Sequence, residues 1–224
     1  MTSEQLFYDK KPGFDRLTGS DKRGMQEYAE GYKAFLDEAK TERDAVKEIV
    51  RMAEEKGFRA WKRDDILKTG DKIYQVNRGK GVMLAVIGKK DIAEGVRLTA
   101  AHLDAPRVDI RTVPLYEEGG MAFFKTHYYG GIKKYQWTAI PLELRGVVCV
   151  CHNGQMKTVE VRVGNKPDDP KFVITDLLPH LATEQITKKA TVLIKGDGST
   201  ILIGSGPCEL VGEKCSEKVK QPVR

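Results

Sequence analysis

The sequence lacks several features that mark particular classes of protein. Its longest uninterrupted apolar run is Val82–Ile87, far shorter than the roughly 20 residues that cross a bilayer. The first seven residues include Glu4 and contain no apolar h-region, so we expect no secretory signal. Four cysteines in 224 residues are too few for a disulfide framework. These absences predict a cytoplasmic protein with no membrane partner.

Runs of one charge are also missing. The formal net charge is +6, from 38 Lys and Arg against 32 Asp and Glu. Acidic residues are interspersed with the basic ones, and no five or six cations stand together, as they tend to in an electrostatic nucleic-acid footprint. We therefore expect no nucleic-acid partner and interpret most of this charge as solvated surface.

What is present is an ordinary globular composition, with 40% apolar and 31% charged residues, enough to bury a sizeable core. Helical spacing of apolar residues predicts a helix from Met25 to Ala39, with Ser20 or Asp21 as its N-cap. A second helix is predicted to begin at Thr41, with Asp44 three residues later, and to end at Gly57.

The pattern then changes to short β-prone runs. Strands are predicted at Ile73–Val76, Val82–Ile87 and Val96–Ala101, so the first part of the chain indicates an α/β domain. After Pro106 the pattern is mostly β, with one helical piece around Leu177–Lys189. We predict domains at residues 1–106 and 107–224, and further strands at residues 107–113, 146–151, 158–163 and 191–203.

A histidine and an aspartate lie at the end of the third predicted strand. In an extended chain His102 and Asp104 point to the same side. The carboxylate can then accept a hydrogen bond from one imidazole nitrogen and leave the other nitrogen for a metal. By itself the spacing fits a hydrogen-bonded pair in a turn better than a metal site, and both interpretations stay open at this point.

Longer segments point to a family. Four segments resemble the bacterial branch of the aspartyl aminopeptidase family. They are AHLDAPR at 101–107, PLYE at 114–117, KTHYYGGIKKYQW at 125–137 and DLLPHLA at 176–182. Members of that family are dinuclear-zinc aminopeptidases. The resemblance extends over the whole chain.

The resemblance implies a function and roles for three residues. His102 would be a zinc ligand in a site with two Zn²⁺ ions, and Asp104 would orient it. His180 would reach across an interface into the active site of a neighbouring copy. The implied fold is a helix-flanked mixed-sheet catalytic domain followed by a mostly β inserted dimerisation domain. The implied partners are a peptide substrate and further copies of the chain, with a dodecamer as one candidate assembly.

The remaining family ligands have no match. The family also needs a bridging aspartate, a glutamate pair that includes the general base, another carboxylate and a final histidine. None of the three adjacent acidic pairs lies where the family has these groups: Glu54-Glu55, Glu117-Glu118 and Asp168-Asp169. We therefore expect the chain to correspond to the N-terminal half of the enzyme and to be inactive alone. The alternative is a catalytically incomplete fragment or oligomerisation module.

Other candidate residues have simpler interpretations. His127, beside Tyr128 and Tyr129, favours packing or an interface over catalysis. His152 precedes Asn153-Gly154, a hairpin signal, and is expected on a surface turn. Cys149 and Cys151 fit core packing better than a zinc cluster. The aromatic and lysine residues of 125–137 fit a protein–protein contact better than a platform for single-stranded nucleic acid.

Overall fold

The computed structural model describes residues 12–195 and 199–205. The chain folds into two compact units, with the boundary between Asp104 and Ala105. The elements form a mixed α/β protein. Cys208, Cys215 and the C-terminal part of the predicted 107–224 domain lie outside the described residues.

Two helices open the first unit. Helix α1 spans Gly19–Glu38 and α2 spans Glu42–Glu55. The N-cap of α1 is Thr18, whose hydroxyl accepts from the backbone N–H of Asp21 while the Asp21 carboxylate accepts from the backbone N–H of Thr18. The prediction of Ser20 or Asp21 as the cap is therefore wrong. Asp21 is the third helical residue, and its carboxylate completes a reciprocal capping box.

Helix α2 was predicted more closely. Thr41 caps it by accepting from the backbone N–H of Asp44. Gly57, with φ +81°, lies just beyond its end in the left-handed conformation that glycine adopts at little cost. The buried residues of this helix are Ala45, Val46 and Ala53, and α2 packs against two strands of the sheet that follows.

That sheet has three strands, β1 (Arg59–Ala60), β2 (Lys72–Asn77) and β3 (Gly81–Val86), in the order β1-β2-β3. The β1–β2 pair is parallel and the β2–β3 pair is antiparallel, so the sheet is mixed. Two of the three predicted strands are confirmed as β2 and β3. None of the helices in the described residues has the length and apolar character needed to span a membrane.

The second unit is built on an antiparallel sheet. Its strands are β4 (Arg107–Glu118), β5 (Met121–Tyr129), β8 (Val173–Ile174) and β9 (Ile201–Gly204), in the order β4-β5-β9-β8. The core includes Ala122, Ile174 and Ile201. Thr126 is also buried, and its hydroxyl donates to the backbone carbonyl of Ser199, which ties β5 to the residues before β9.

A separate two-stranded sheet completes this unit. Strands β6 (Leu144–His152) and β7 (Gln155–Val163) pair over nine residues without a register shift. Asn153 and Gly154 connect them with φ values of 50° and 75°, which are the positive values of a two-residue hairpin turn. The predicted strands at 146–151 and 158–163 and the predicted turn are confirmed.

Two predictions for this unit are wrong. In place of one helix over Leu177–Lys189, the chain is irregular up to Ala182 and then forms α3 (Thr183–Ile186). The predicted strand at 191–203 begins instead with α4 (Ala190–Leu193), and among its described residues the strand β9 begins at Ile201. Both errors have one physical cause, since short apolar runs fit a strand or a helix equally well until a neighbour decides between them.

Candidate metal ligand

The segment before His102 is not a strand. Residues 95–106 have no regular secondary structure, so the predicted strand Val96–Ala101 is wrong. Val96 and Leu98 are 70% and 86% exposed. A β-prone segment becomes a strand only when its backbone N–H and C=O groups find a neighbouring strand. None of the strands in the described part of the chain pairs with it.

His102 and Asp104 nevertheless meet as predicted. The imidazole Nδ1 lies 3.1 Å from the Asp104 carboxylate Oδ1 and 3.0 Å from the Asp104 backbone carbonyl oxygen. Both acceptors therefore converge on the same ring nitrogen. With a proton on Nδ1, this arrangement fixes the tautomer in which Nε2 carries the lone pair. A carboxylate or carbonyl behind the ring is the usual support of a metal-binding histidine.

The exposure of the two side chains matches these roles. The His102 side chain is 79% exposed and that of Asp104 is 30% exposed. The ring nitrogen that faces away from Asp104 is thus accessible to an incoming ion. The chemistry of this donor set fits one Zn²⁺ ligand and its orienting group. No group of three or more His, Cys, Asp or Glu side chains among residues 12–195 and 199–205 is arranged to hold a metal.

Glu54 and Glu55, which the sequence offers as other ligands, have partners of their own. Glu54 accepts a hydrogen bond from the Tyr74 hydroxyl at 2.6 Å, which raises the pKa of that hydroxyl above its ordinary value. Glu55 pairs with Arg51 along α2. Glu117 and Glu118 lie at the exposed end of β4.

Asp169 is engaged in a different way. Its Oδ2 accepts the backbone N–H groups of Lys166, Gly164 and Asn165 at 3.0–3.1 Å, and these hydrogen bonds hold the pKa of Asp169 below its ordinary value. A carboxylate occupied in this way organises the loop that follows β7.

His180 belongs to the second unit and lies on an exposed turn. The turn is closed by a hydrogen bond from the backbone N–H of Leu181 to the carbonyl of Leu178 at 2.9 Å. Asp176 anchors its start, because its Oδ1 accepts from the backbone N–H of Leu177 and from Nε2 of Gln185. The side chains around the histidine are unusually apolar for an exposed loop: Leu177, Leu178 and Leu181.

A row of polar side chains on β4 and β5 was not predicted from the sequence. His127 lies directly opposite Asp109 in the sheet and its ring stacks on Tyr128 at a centroid distance of 5.2 Å. Asp109 accepts from Nε of Arg107 at 2.8 Å, and the Arg107 guanidinium lies 4.2 Å from the Tyr129 ring centroid. The alternation Arg-x-Asp along a strand was the available signal, because such residues share a face.

The cysteine prediction is wrong. Cys149 and Cys151 are free and exposed on β6 instead of packed in a core. In the described residues β6 and β7 pair only with each other, and this two-stranded sheet leaves both thiols exposed. His152, at the end of the same strand, is exposed beside the hairpin turn, as predicted.

Comparison with known proteins identifies relatives of the whole chain. The profile of the aminopeptidase I zinc metalloprotease (M18) family matches residues 35–204. A probable M18 family aminopeptidase 1 of Clostridium acetobutylicum is 40% identical over 222 residues, which are 97% of this chain and 47% of that protein. The chain thus spans about half the length of the curated relatives it matches.

Solved structures give the same result. A crystal structure of an M18 family aminopeptidase from Thermotoga maritima superposes with a TM-score of 0.82 at 38% identity, over 96% of this chain and 45% of that one. The mApe1 dodecamer of S. cerevisiae is similar in fold, with a TM-score of 0.62 at 19% identity, over 80% of this chain and 39% of that one.

Proposed function

The chain belongs to the M18 family of zinc metalloproteases, and on that premise we propose that it carries part of the active site of a metal-dependent aminopeptidase. The reaction would remove N-terminal residues from peptides by attack of an activated water. The chain matches the N-terminal half of its relatives. It would therefore supply only part of the set of catalytic groups.

The observation that carries this proposal is the pair His102 and Asp104. Two oxygens of Asp104 lie within 3.1 Å of Nδ1, and the opposite side of the ring is open to solvent. This is the arrangement of a metal ligand with its supporting carboxylate. His102 would hold one of two Zn²⁺ ions, and the other ligands and the general base would come from outside the described residues.

Each of the three candidate residues would then have a defined role. Bound zinc would supply Lewis acidity, which lowers the pKa of a water and polarises the scissile carbonyl. Asp104 would hold the His102 proton on Nδ1 and keep Nε2 directed at the ion. His180, on its exposed turn, would bind substrate or stabilise the tetrahedral intermediate in the active site of a neighbouring copy, as the family resemblance implies.

Self-association is part of the same proposal. The mApe1 protein of yeast forms a dodecamer, and a histidine that works in a neighbouring copy requires an assembly of copies. We assign this role to the mostly β domain at 107–224, which would be an inserted dimerisation domain beside a catalytic domain at 1–106. The proposed location is the cytoplasm, where the thiols of Cys149 and Cys151 would remain reduced.

The test uses a chimaera in which this chain is followed by the remaining half of the Clostridium acetobutylicum relative. We expect hydrolysis of an unblocked peptide in the presence of Zn²⁺, Mn²⁺ or Co²⁺, and none of its N-acetylated form. His102→Ala should abolish turnover and lower zinc affinity, measured by calorimetry, because it removes a ligand. Asp104→Asn should lower zinc affinity about 10–100-fold, the usual effect of losing a carboxylate behind a ligand.

The matched control is His152→Ala, which removes an exposed histidine from the hairpin turn and should change neither zinc affinity nor rate. Unchanged metal binding and turnover in the His102→Ala chimaera would refute the assignment of His102.

The second candidate is an oligomerisation module with no activity of its own. It is favoured by the lack of a three-ligand group in the described residues. The chimaera distinguishes the candidates. Zinc-dependent hydrolysis that His102→Ala abolishes would show that the chain supplies catalytic groups and would exclude the module.

A further inference from the structure

The hairpin of β6 and β7 is a sheet of two strands, and in the described residues these strands pair only with each other. Two strands alone are marginally stable in water. A hairpin of two nine-residue strands in unbroken register is therefore expected to be stabilised by a further contact.

One face carries most of the valines of this hairpin, together with Lys157, which lies opposite Val150. Because side chains alternate along a strand, Val148 and Val150 share a face with Val159 and Val161 of the partner strand. Val148 is 49% exposed, and Val150 and Val159 are each 39% exposed. The opposite face is mixed, with Val147, Cys149 and Met156 beside Glu160 and Arg162.

The outer edge of β7 is suited to pairing. It contains no proline, and its pairing with β6 has no bulge, so two of the devices that prevent edge-to-edge contact are missing from it. In a two-residue hairpin the backbone groups of alternate residues point away from the partner strand. On β7 these alternate residues include Thr158, Glu160 and Arg162.

We propose that β7 pairs antiparallel with β7 of a second copy of the chain, about a two-fold axis at Val161. The result is a four-stranded sheet in the order β6-β7-β7-β6 with the valines of both copies on one face. This proposal rests on the proposed self-association, and it names the surface that performs it.

Charge selects the register. A two-fold axis perpendicular to the sheet keeps the valines of both copies on the same side. It runs between the two β7 strands at the level of one residue, which then lies opposite its own counterpart. With the axis at Val161, Glu160 of each copy lies opposite Arg162 of the other, giving two opposite-charge pairs. An axis at Glu160 or Arg162 places like charges opposite each other, which is destabilising.

The other central registers give no charge pairing. An axis at Thr158 or Val159 places Lys157, Glu160 and Arg162 opposite uncharged residues. Strand β6 has Arg145 and no acidic residue within Leu144–His152, so pairing of two β6 edges offers no opposite-charge pair. The edge of β7 centred on Val161 is thus the self-complementary one.

The test is a charge-swap series on the 224-residue chain, followed by sedimentation velocity over a range of concentrations. Glu160→Arg alone would place arginine opposite Arg162 in both pairs, and Arg162→Glu alone would place glutamate opposite Glu160. We expect each single variant to dimerise about tenfold more weakly than the parent chain, or worse.

Two further samples restore the pairing. The double variant Glu160→Arg/Arg162→Glu should dimerise like the parent. An equimolar mixture of the two single variants should form a heterodimer, since each arginine then meets a glutamate. Each chain in the mixture keeps the altered contacts within its own fold, so recovery of the dimer reports the contact between copies.

Lys189→Glu is the matched control, because it reverses one exposed charge of the same unit away from β7, and it should leave dimerisation unchanged. Single variants that dimerise as tightly as the parent would overturn the proposed surface but leave self-association standing. A parent chain that stays monomeric at high concentration would overturn both. Weak single variants that the mixture fails to rescue would show that the charges act within each chain, which also overturns the proposal.

Discussion

At the scale of single residues, Asp169 shows how one carboxylate organises a loop. It accepts three backbone N–H groups from residues 164–166, and the backbone carbonyls of Gly164 and Lys166 in turn accept from the Lys171 ammonium. The loop after β7 is therefore closed by polar contacts where the sequence offers few apolar ones. The proline-flanked pair Asp168-Asp169 indicated a loop, but only the folded structure identifies the second aspartate as its centre.

The effect of pH on this loop follows from the pKa of Asp169. Backbone N–H groups, first that of Lys166, lower this pKa below its ordinary value of 3.8. The ionised form is favoured in the folded chain, so its contribution to stability is present above the ordinary value and is lost as the pH falls through the folded pKa. Asp169→Asn should therefore unfold at lower urea than the parent chain at pH 7, and the difference should shrink below pH 3.8.

Urea unfolding followed by circular dichroism from neutral to acidic pH measures this difference. Asp168→Asn removes the same charge from the same loop and is the control, with a small and constant effect expected. Equal midpoints for the two variants at every pH would contradict the role given to Asp169.

The helix caps show the limit of sequence reasoning at this scale. At α2 the pattern Thr41 to Asp44 was sufficient, because only one residue at that boundary had a suitable side chain and spacing. At α1 the boundary contains Thr18, Ser20 and Asp21, each a good cap by type. Which of them caps the helix depends on where the first turn starts, and local composition does not decide that.

At the scale of elements, the segment Val96–Ala101 separates β-propensity from strand formation. Its composition predicts a strand as clearly as that of β3 does, yet only β3 has a partner, β2, with which it pairs over six residues. This irregular backbone affects the candidate metal site directly, because His102 follows the segment in the chain. The contact between His102 and Asp104 could be predicted from the sequence, whereas its backbone setting depends on a neighbouring strand, and the role of His102 as a metal ligand stays a prediction.

Hydrogen exchange tests this difference. We expect the amides of residues 96–101 in the 224-residue chain to exchange at nearly unprotected rates, because none of them donates to a strand in the described structure. Amides of β2 and β3 that pair with each other should be protected. Mass spectrometry of peptides covering 81–86 and 96–101 gives both values from one sample, and equal protection of the two would contradict the irregular segment.

At the scale of the whole molecule, the chain divides into two units at Asp104 and Ala105, and the assignment of 1–106 to a catalytic domain and 107–224 to a dimerisation domain stays a prediction. The α/β class could be predicted from composition and periodicity, and the family from the segments at 101–107 and 125–137. The pairing of β6 and β7 in a sheet separate from the main sheet of the second unit could not be predicted from the sequence. Strand patterns alone do not determine which strands become neighbours.

The net charge of +6 belongs to this scale too, and we predict that it gives no nucleic-acid binding. Three aromatic rings of the second unit already face cations of the same chain: Arg107 lies over Tyr129, Lys134 over Tyr128, and Lys125 over Tyr116. These rings and charges are therefore not presented as an open stacking surface.

Fluorescence anisotropy with single-stranded and duplex DNA should show no saturable binding at physiological salt. A binding constant that falls steeply with added salt would contradict this expectation, because that dependence is the signature of phosphate contacts. The parent chain and the charge-reversed Lys189→Glu variant should behave alike.

Gly164 shows how narrowly the end of the hairpin is specified. Its φ is +96°, and a Cβ placed on it would lie 3.0 Å from the Cα of Glu143 and 3.2 Å from the carbonyl oxygen of Leu142. Both the dihedral angle and the close contacts disfavour any residue with a side chain. The genetic consequence is that codon 164 should accept synonymous changes and few others, because replacement would strain the base of the hairpin. Asn165 is freer to change, since it holds Asp169 through its backbone N–H.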